Sequence, residues 1–206
     1  QRITDGSEII TAVRTRGQIL ILTDTSAHGM SFIGAPFTFG FQQLGSNCGA
    51  ISPHCAIDVG GVCYWMSSDA FYKFDGTVRK IPCTVEDFVF DNIEPKQYAQ
   101  VFAGSNSAFG EIWWLYCTTA SNQIDRYVVF NYQENLWYTG TLVRSTWIDS
   151  GTYSLPYATE YDGSANTTVY AHESGTDDDG STLTSYIESG DFDIGDGDQI
   201  MFIKRG

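Results

Sequence analysis

Positive charge is missing from one long part of the sequence. No lysine or arginine lies between Arg144 and Lys204, and the whole chain carries 25 acidic against 11 basic side chains, a formal net charge of −14 at pH 7. A surface of this sign is repelled by nucleic acid phosphates and by anionic membranes. The composition therefore argues against a protein that binds DNA tightly.

The interval without basic residues holds twelve acids, whereas the remainder of the chain is almost balanced. Two interpretations stay open: a set of solvated loops, or a surface of single sign that serves a function. The twelve acids are Asp149, Glu160, Asp162, Glu173, Asp177, Asp178, Asp179, Glu188, Asp191, Asp193, Asp196 and Asp198.

The stretch "DFDIGDGDQIMF" (191–202) invites comparison with a calcium loop. Asp191 and Asp193 alternate as calcium ligands do, but Gly195 stands where a third ligand is expected. Asp196 replaces the glycine that the EF-hand turn needs, and no glutamate follows to complete the ligand set. We therefore predict no metal site and no cofactor.

Sulfur and imidazole ligands are also too few and too scattered for a metal centre. The cysteines form no CxxC pair, which argues against a zinc site and a disulfide framework and suits thiols buried in a reducing cytoplasm. None of the three histidines is paired at a metal-ligand spacing, so each is predicted to be a loop or core residue. These residues are Cys48, Cys55, Cys63, Cys83, Cys117, His28, His54 and His172.

Catalytic motifs are missing as well. No GxSxG elbow is present, and "GSNCGA" lacks the lysine and the helix of a phosphate-binding loop. Two carboxylates suffice for a glycosidase, and five tryptophans could stack on sugars, but no spacing singles out a pair. We predict that the chain is not an enzyme. The residues considered are Glu86, Asp87, Glu160, Glu173, Trp65, Trp113, Trp114, Trp137 and Trp147.

Long apolar runs are absent. No signal peptide is visible and no stretch approaches membrane-spanning length, so no membrane insertion is predicted. The chain begins without methionine, and we expect it to be part of a longer protein.

Short strand-like runs separated by Gly, Asn, Asp and Ser make up most of the sequence. Turns are predicted at Gly60-Gly61, Ser68-Asp69, Asp75-Gly76 and 120–122. Only residues 84–100 have helical character, around Pro95 to Gln100.

The runs group into successive four-stranded antiparallel meanders, which predicts an all-β fold with blades of a β-propeller. The approximate blades are 17–83, 84–148 and 149–206, within one propeller-like region spanning 1–206. A β-sandwich is the alternative because the spacing is irregular. Three blades do not close a ring, which again indicates part of a larger subunit.

The strand "EIWWLYC" (111–117) is apolar on both faces. Ile112, Trp114 and Tyr116 alternate with Trp113, Leu115 and Cys117, so the strand is predicted to lie between two layers. Its aromatic residues are therefore expected in the core.

Four motifs carry a resemblance to a known family. They are "ILILTDTSAHGMSFIG", the connection "FTFGFQQLGSNCGAISPH", the hairpin "GVCYWMSSDAFYKFDG" and the closing "YIESGDFDIGDGDQIMFIKR". Together they resemble the tail nozzle proteins of short-tailed bacteriophages, also called DNA stabilisation or tail tubular B-type proteins. The likeness extends from about residue 17 to residue 205.

The resemblance implies a structural subunit of the phage tail. Such a subunit bears a β-propeller and forms a homo-hexameric ring below the portal and adaptor, next to other tail proteins. Double-stranded DNA passes through the ring during ejection without tight binding. The expected location is the virion, after assembly in the host cytoplasm. The alternatives are a host-surface glycan-binding tail module and a carbohydrate-cleaving tail enzyme.

This expectation gives the acidic interval a function. Lysine or arginine contacts to phosphate must be broken as a duplex slides, whereas a wall of aspartates repels it. We hypothesise that the segment 177–198 faces the duplex or the interior of the ring; an outward, hydrated loop is the equal alternative. The proposed DNA-facing residues are Asp177, Asp178, Asp179, Asp191, Asp193, Asp196 and Asp198.

Overall fold

A computed structural model describes residues 5–151, 153–161, 167–178 and 180–182. The chain divides into two compact units, Gln1–Glu173 and Ser174–Gly206. Strands dominate the first unit, which confirms the all-β prediction. Its helical elements are α1 (Glu86–Phe90) and a 3-10 helix (Pro95–Gln100), both inside the range where helical character is predicted.

The first two sheets are four-stranded antiparallel meanders in which each strand pairs with the next along the chain. The predicted turns at Gly60-Gly61, Ser68-Asp69 and Asp75-Gly76 join the strands of sheet 2. Sheet 1 consists of β1 (Ile9–Arg14), β2 (Ile19–Thr23), β3 (Ser26–Phe32) and β4 (Phe39–Ser46). Sheet 2 consists of β5 (Ala56–Val59), β6 (Val62–Met66), β7 (Phe71–Phe74) and β8 (Val78–Ile81).

Sheet 3 repeats the four-stranded meander, and sheet 4 has three strands within the described residues. Sheet 3 consists of β9 (Phe102–Asn106), β10 (Glu111–Tyr116), β11 (Arg126–Asn131) and β12 (Leu136–Thr141), and sheet 4 of β13 (Thr146–Ile148), β14 (Tyr157–Tyr161) and β15 (Thr167–Ala171). The second unit contributes one short hairpin, formed by β16 (Asp177–Asp178) and β17 (Ser181–Thr182).

The four sheets of the first unit are arranged like blades. Their first strands touch in chain order, β1 against β5, β5 against β9 and β9 against β13. A parallel bridge between His54 and Phe102 joins the start of sheet 2 to β9. The sheets therefore follow one another in a propeller-like array, in which each sheet covers a face of its neighbour.

The sheet boundaries correct the expected blade ranges 17–83, 84–148 and 149–206. The range 17–83 contains strands of both sheets 1 and 2, and 84–148 includes the first strand of sheet 4. The difference arises because β1 begins before residue 17, and because the segment after β4 connects two sheets instead of continuing one.

Two layers of core lie between the sheets. The larger one fills the space between sheets 1, 2 and 3, and the smaller one lies between sheets 3 and 4. Strand β10 contributes to both: Ile112, Trp114 and Tyr116 belong to the larger core, and Leu115 belongs to the smaller one. The prediction that this strand lies between two layers is confirmed.

Four tryptophans link consecutive sheets by hydrogen bonds as well as by packing. Each indole Nε1 donates to a main-chain carbonyl: Trp65 to Cys48 at 2.9 Å, Trp114 to Cys55 at 2.9 Å, Trp137 to Pro82 at 2.9 Å and Trp147 to Ser105 at 2.8 Å. Every acceptor lies in the sheet that precedes the tryptophan's own sheet, or in the segment that leads into or out of that preceding sheet. A buried indole N–H needs such a partner, so these bonds fix one sheet against another.

Candidate functional site

The most exposed apolar side chains of the first unit lie on the connection between β3 and β4. Phe32 and Phe37 are each 73% exposed, and Ile33, Pro36 and Phe39 are also exposed. We call these five residues the hairpin tip. An exposed apolar patch on a soluble surface usually marks an interaction site.

Local structure holds the hairpin tip together. The rings of Phe32 and Phe39 meet edge to face with centroids 6.1 Å apart, and the Ile33 amide donates to the Thr38 carbonyl at 3.0 Å. The peptide bond between Ala35 and Pro36 is cis. The ring contact and the main-chain hydrogen bond make the tip a defined turn, which presents aromatic side chains to the outside.

A shallow groove of about 280 Å³ lies beside the tip. Phe32, Phe39, Met30 and Ile19 line it, and Arg14 adds a charge. No acidic residue falls between Asp24 and Asp58, so β3 and β4 carry no carboxylate to pair with this guanidinium. The surface thus combines exposed aromatic rings with a positive charge.

A second exposed patch lies on the outer edge of sheet 3. Leu136 is 56% exposed and Phe109 is 52% exposed, and Tyr138 lies two residues along β12 from Leu136. Glu111 and Glu134 add negative charge to this area. We call these five residues the Leu136 patch.

Asn131 links the members of the Leu136 patch. Its Nδ2 donates to the Phe109 carbonyl at 3.1 Å, its Oδ1 accepts from the Glu134 amide at 2.9 Å, and it faces both Leu136 and Glu111 in the strand register. The chain segments that carry the patch residues are therefore adjacent to one another.

Glu111 and Tyr138 share a hydrogen bond on this patch. Glu111 also accepts from the Trp113 indole at 3.0 Å. Burial, followed by the bond to the Glu111 carboxylate, raises the pKa of Tyr138 well above its ordinary value. The phenol therefore stays protonated at neutral pH and orients the carboxylate of Glu111.

The single basic residue of sheet 4 and its flanks is Arg144, and it is buried at 7% exposure. Its guanidinium contacts Glu160 at 3.3 Å, His172 at 3.2 Å and the ring of Tyr170 at 3.8 Å. Because these contacts satisfy the charge within the sheet, Arg144 has a structural role; of the acidic residues that follow it, it pairs with Glu160.

The predicted DNA-facing acids fall at the edge of the described structure. Asp177 and Asp178 form β16, and the exposed Asp177 accepts from the Gly180 amide at 3.3 Å. Five of the predicted residues lie outside the described residues: Asp179, Asp191, Asp193, Asp196 and Asp198.

Three of the four carboxylates considered for sugar cleavage have separate structural partners. Glu86 pairs with Lys80 at 2.7 Å, Glu160 with Arg144, and Glu173 accepts from Asn106 at 3.1 Å. Asp87 lies in the first turn of α1. The three paired carboxylates are thus engaged in holding strands and helix in place.

The five tryptophans are buried or half-buried, as predicted for core residues. Trp113, for example, stacks on Trp147 with centroids 5.1 Å apart. No tryptophan platform for sugars is therefore exposed on the described surface.

The thiols and imidazoles also occupy structural positions. Burial raises the pKa of Cys48 and of Cys117 to about 11, so both thiols stay protonated at neutral pH. His28 is buried with Nε2 2.9 Å from the Ser26 hydroxyl, whereas His54 is exposed and lies against Phe102. Within the described residues no group of three or more His, Cys, Asp or Glu side chains could hold a metal ion.

Comparisons with known proteins assign the chain to no family. No protein-family model matches it, and no curated protein does. Among solved structures, a 2S albumin seed protein from Dolichos aligns over 80% of this chain and 92% of its own, with a TM-score of 0.37 and 10% sequence identity. A likeness at this level supports no conclusion about function. In the part of the chain that the structure describes, no helix is long and apolar enough to cross a membrane.

Proposed function

We propose that the chain is a structural subunit of a short-tailed bacteriophage tail, of the nozzle type, and that six copies form a ring through which the genome leaves the capsid. The resemblance of its four sequence motifs to nozzle proteins suggests this function. The observation that supports it best is the array of blade-like sheets, fixed to one another by buried indole hydrogen bonds.

A conduit wall needs stiffness more than it needs a reactive site. Several described side chains of chemically reactive types hold the fold: Arg144 pairs with Glu160, His28 lies within hydrogen-bond distance of Ser26, and Cys55 is fully buried. Such structural roles are what a conduit wall would need from these residues.

The charge of the chain fits the same function. DNA under ejection should meet few cationic contacts, because each one is an attraction that must be broken. We propose that the aspartates between 177 and 198 face the path of the duplex and that the ring contacts the portal, the adaptor and other tail proteins in the virion.

Genome ejection kinetics test the role of the charge. Asp191, Asp193, Asp196 and Asp198 are replaced together by Asn, and DNA release from purified particles is followed by dye fluorescence. Slower release from particles with complete rings is expected. The matched control replaces Glu86, Asp87 and Asp91 at α1 by Gln or Asn. Unchanged release by the first variant, with intact rings, contradicts a DNA-facing position.

A glycan array and a turnover assay on capsular polysaccharide distinguish this function from glycan binding and glycan cleavage. A passive conduit gives no signal in either one.

A further inference from the structure

We propose that the hairpin tip of one copy of this chain docks, together with Arg14, on the Leu136 patch of a second copy. The inference rests on the proposed ring, since it names the two surfaces through which neighbouring subunits meet. It combines apolar surface, charge and the requirement of ring closure.

The apolar surface comes first. Four exposed side chains of the tip, Phe32, Ile33, Phe37 and Phe39, expose between 49% and 73% of their surface. Three aromatic rings and one isoleucine can bury about 400–600 Å² when covered. A stable interface buries about 800 Å² on each partner, so the tip supplies more than half of one.

Charge restricts what the partner can be. Residues 25–57 contain no Asp, Glu, Lys or Arg, so the hairpin is a neutral strip on a chain of net charge −14. Two copies with that charge repel each other over most of their surfaces. Contact is favoured where the charge is absent, and the hairpin provides such a place.

Two arginines make the strip complementary to an acidic partner. Arg14 and Arg16 are exposed, and among the residues that the structure describes neither one forms an ion pair. Arg14 lines the groove against Phe32 and Phe39. A complementary partner surface therefore offers apolar side chains to the aromatic rings and carboxylates to the arginines.

The Leu136 patch has this composition. Leu136, Phe109 and Tyr138 are exposed, and Glu134 is an exposed acid in the turn before β12 with no ion pair in the described ranges. Glu111 is held on the same face by Tyr138 and Trp113. Carboxylates beside apolar side chains therefore match arginine beside aromatic rings.

The two surfaces differ, so their contact is heterologous: each copy offers a tip to one neighbour and a patch to another. Such contacts generate a closed ring when the rotation between neighbours is a whole fraction of a turn. A self-complementary contact would stop at a dimer. The proposed pairing is thus the kind that a six-fold ring requires.

A charge swap on the 206-residue chain tests the pairing. Self-association is measured by sedimentation velocity over a range of concentrations for Phe37→Ser, Arg14→Glu, Glu134→Arg and the double variant Arg14→Glu/Glu134→Arg. All three positions are exposed, so the variants should fold, and circular dichroism with a denaturation midpoint checks this. Tyr153→Ser, an aromatic 56% exposed outside both surfaces, is the control.

Each single variant should weaken self-association by about tenfold or more in Kd, and the double variant should regain about tenfold over the weaker single one. Tyr153→Ser should leave it unchanged. The inference is overturned if the chain stays monomeric up to about 1 mM, if Phe37→Ser has no effect, or if the double variant shows no recovery.

A lipid surface is the competing occupant of the tip. Flotation with vesicles of phosphatidylcholine and phosphatidylglycerol separates the two cases. The inference is overturned if Phe37→Ser and Arg14→Glu abolish vesicle binding but leave self-association unchanged. If imaging shows a six-fold ring while the charge swap has no effect, this pairing fails and the proposed function stands. Monomers in the particle itself contradict the proposed function.

Discussion

Trp114 offers the sharpest test of how the sheets are held together. The side chain lies on β10 with no exposed surface, and its indole donates to the Cys55 carbonyl at 2.9 Å, across the boundary between sheets 3 and 2. Its ring centroid is 4.8 Å from that of Phe71 in sheet 2. Replacing Trp114 by Phe removes the donor and part of the ring but keeps an aromatic residue.

The expected cost follows from those two losses. The Cys55 carbonyl still accepts from the Met66 amide at 3.3 Å, so it is not left bare, and the lost hydrogen bond costs about 1 kcal/mol. The smaller ring leaves a cavity in a close-packed core, which adds about 1–2 kcal/mol. Trp114→Phe should therefore lower the free energy of unfolding by about 2–3 kcal/mol.

Urea denaturation followed by circular dichroism measures this loss. Trp113→Phe is the matched control, because the half-buried Trp113 donates to Glu111 in its own strand and not across a sheet boundary. It should cost about 1 kcal/mol or less, with the same m-value. Equal losses for the two variants would refute the claim that indole bonds fix one sheet against the next.

Three further predictions concern single sites. Gly49→Ala should destabilise the fold by about 2–3 kcal/mol in the same assay, because a Cβ there would overlap the Asp24 carbonyl; an unchanged midpoint contradicts this. Tyr116→Phe should leave stability unchanged or raise it by up to about 1 kcal/mol, since the buried hydroxyl has no partner among the described atoms; a clear loss of stability contradicts this. Hydrogen bonds from the Ser7 hydroxyl and amide lower the pKa of Asp24 below 3.8, so its contribution to stability is complete above pH 3.8 and is lost as the pH falls through the lower folded-state value. Ser7→Ala should raise the pKa of Asp24 in an NMR titration, and an unaltered pKa excludes the hydrogen bond from the Ser7 hydroxyl.

The hairpins could be predicted because their information is local. Glycine and aspartate at 60–61 and 75–76 permit tight turns, and alternation along "EIWWLYC" shows that both faces of one strand are covered. The limits of the sheets could not be predicted so well. The expected range 17–83 leaves out strand β1, the short run "IITAVR", which belongs to sheet 1 through its pairing with β2.

The candidate surfaces depend on information that is not local. "FIGAPFTF" contains three phenylalanines, an isoleucine and a proline, yet only the fold shows that no neighbouring layer of the first unit covers them. The Leu136 patch brings Phe109 and Glu111, at the start of β10, next to Leu136 on β12. The indole bonds join residues 17 to 59 positions apart. Pairings of that range depend on how the sheets stack, which periodicity does not encode.

The most direct test of the account is an image of the phage tail particle that contains this chain. Cryo-electron microscopy without imposed symmetry should show six copies around an axis, with blade-like sheets in the wall and axial density of duplex width before ejection. Single copies at the periphery of the tail, or an axis that this chain does not surround, would contradict a conduit wall.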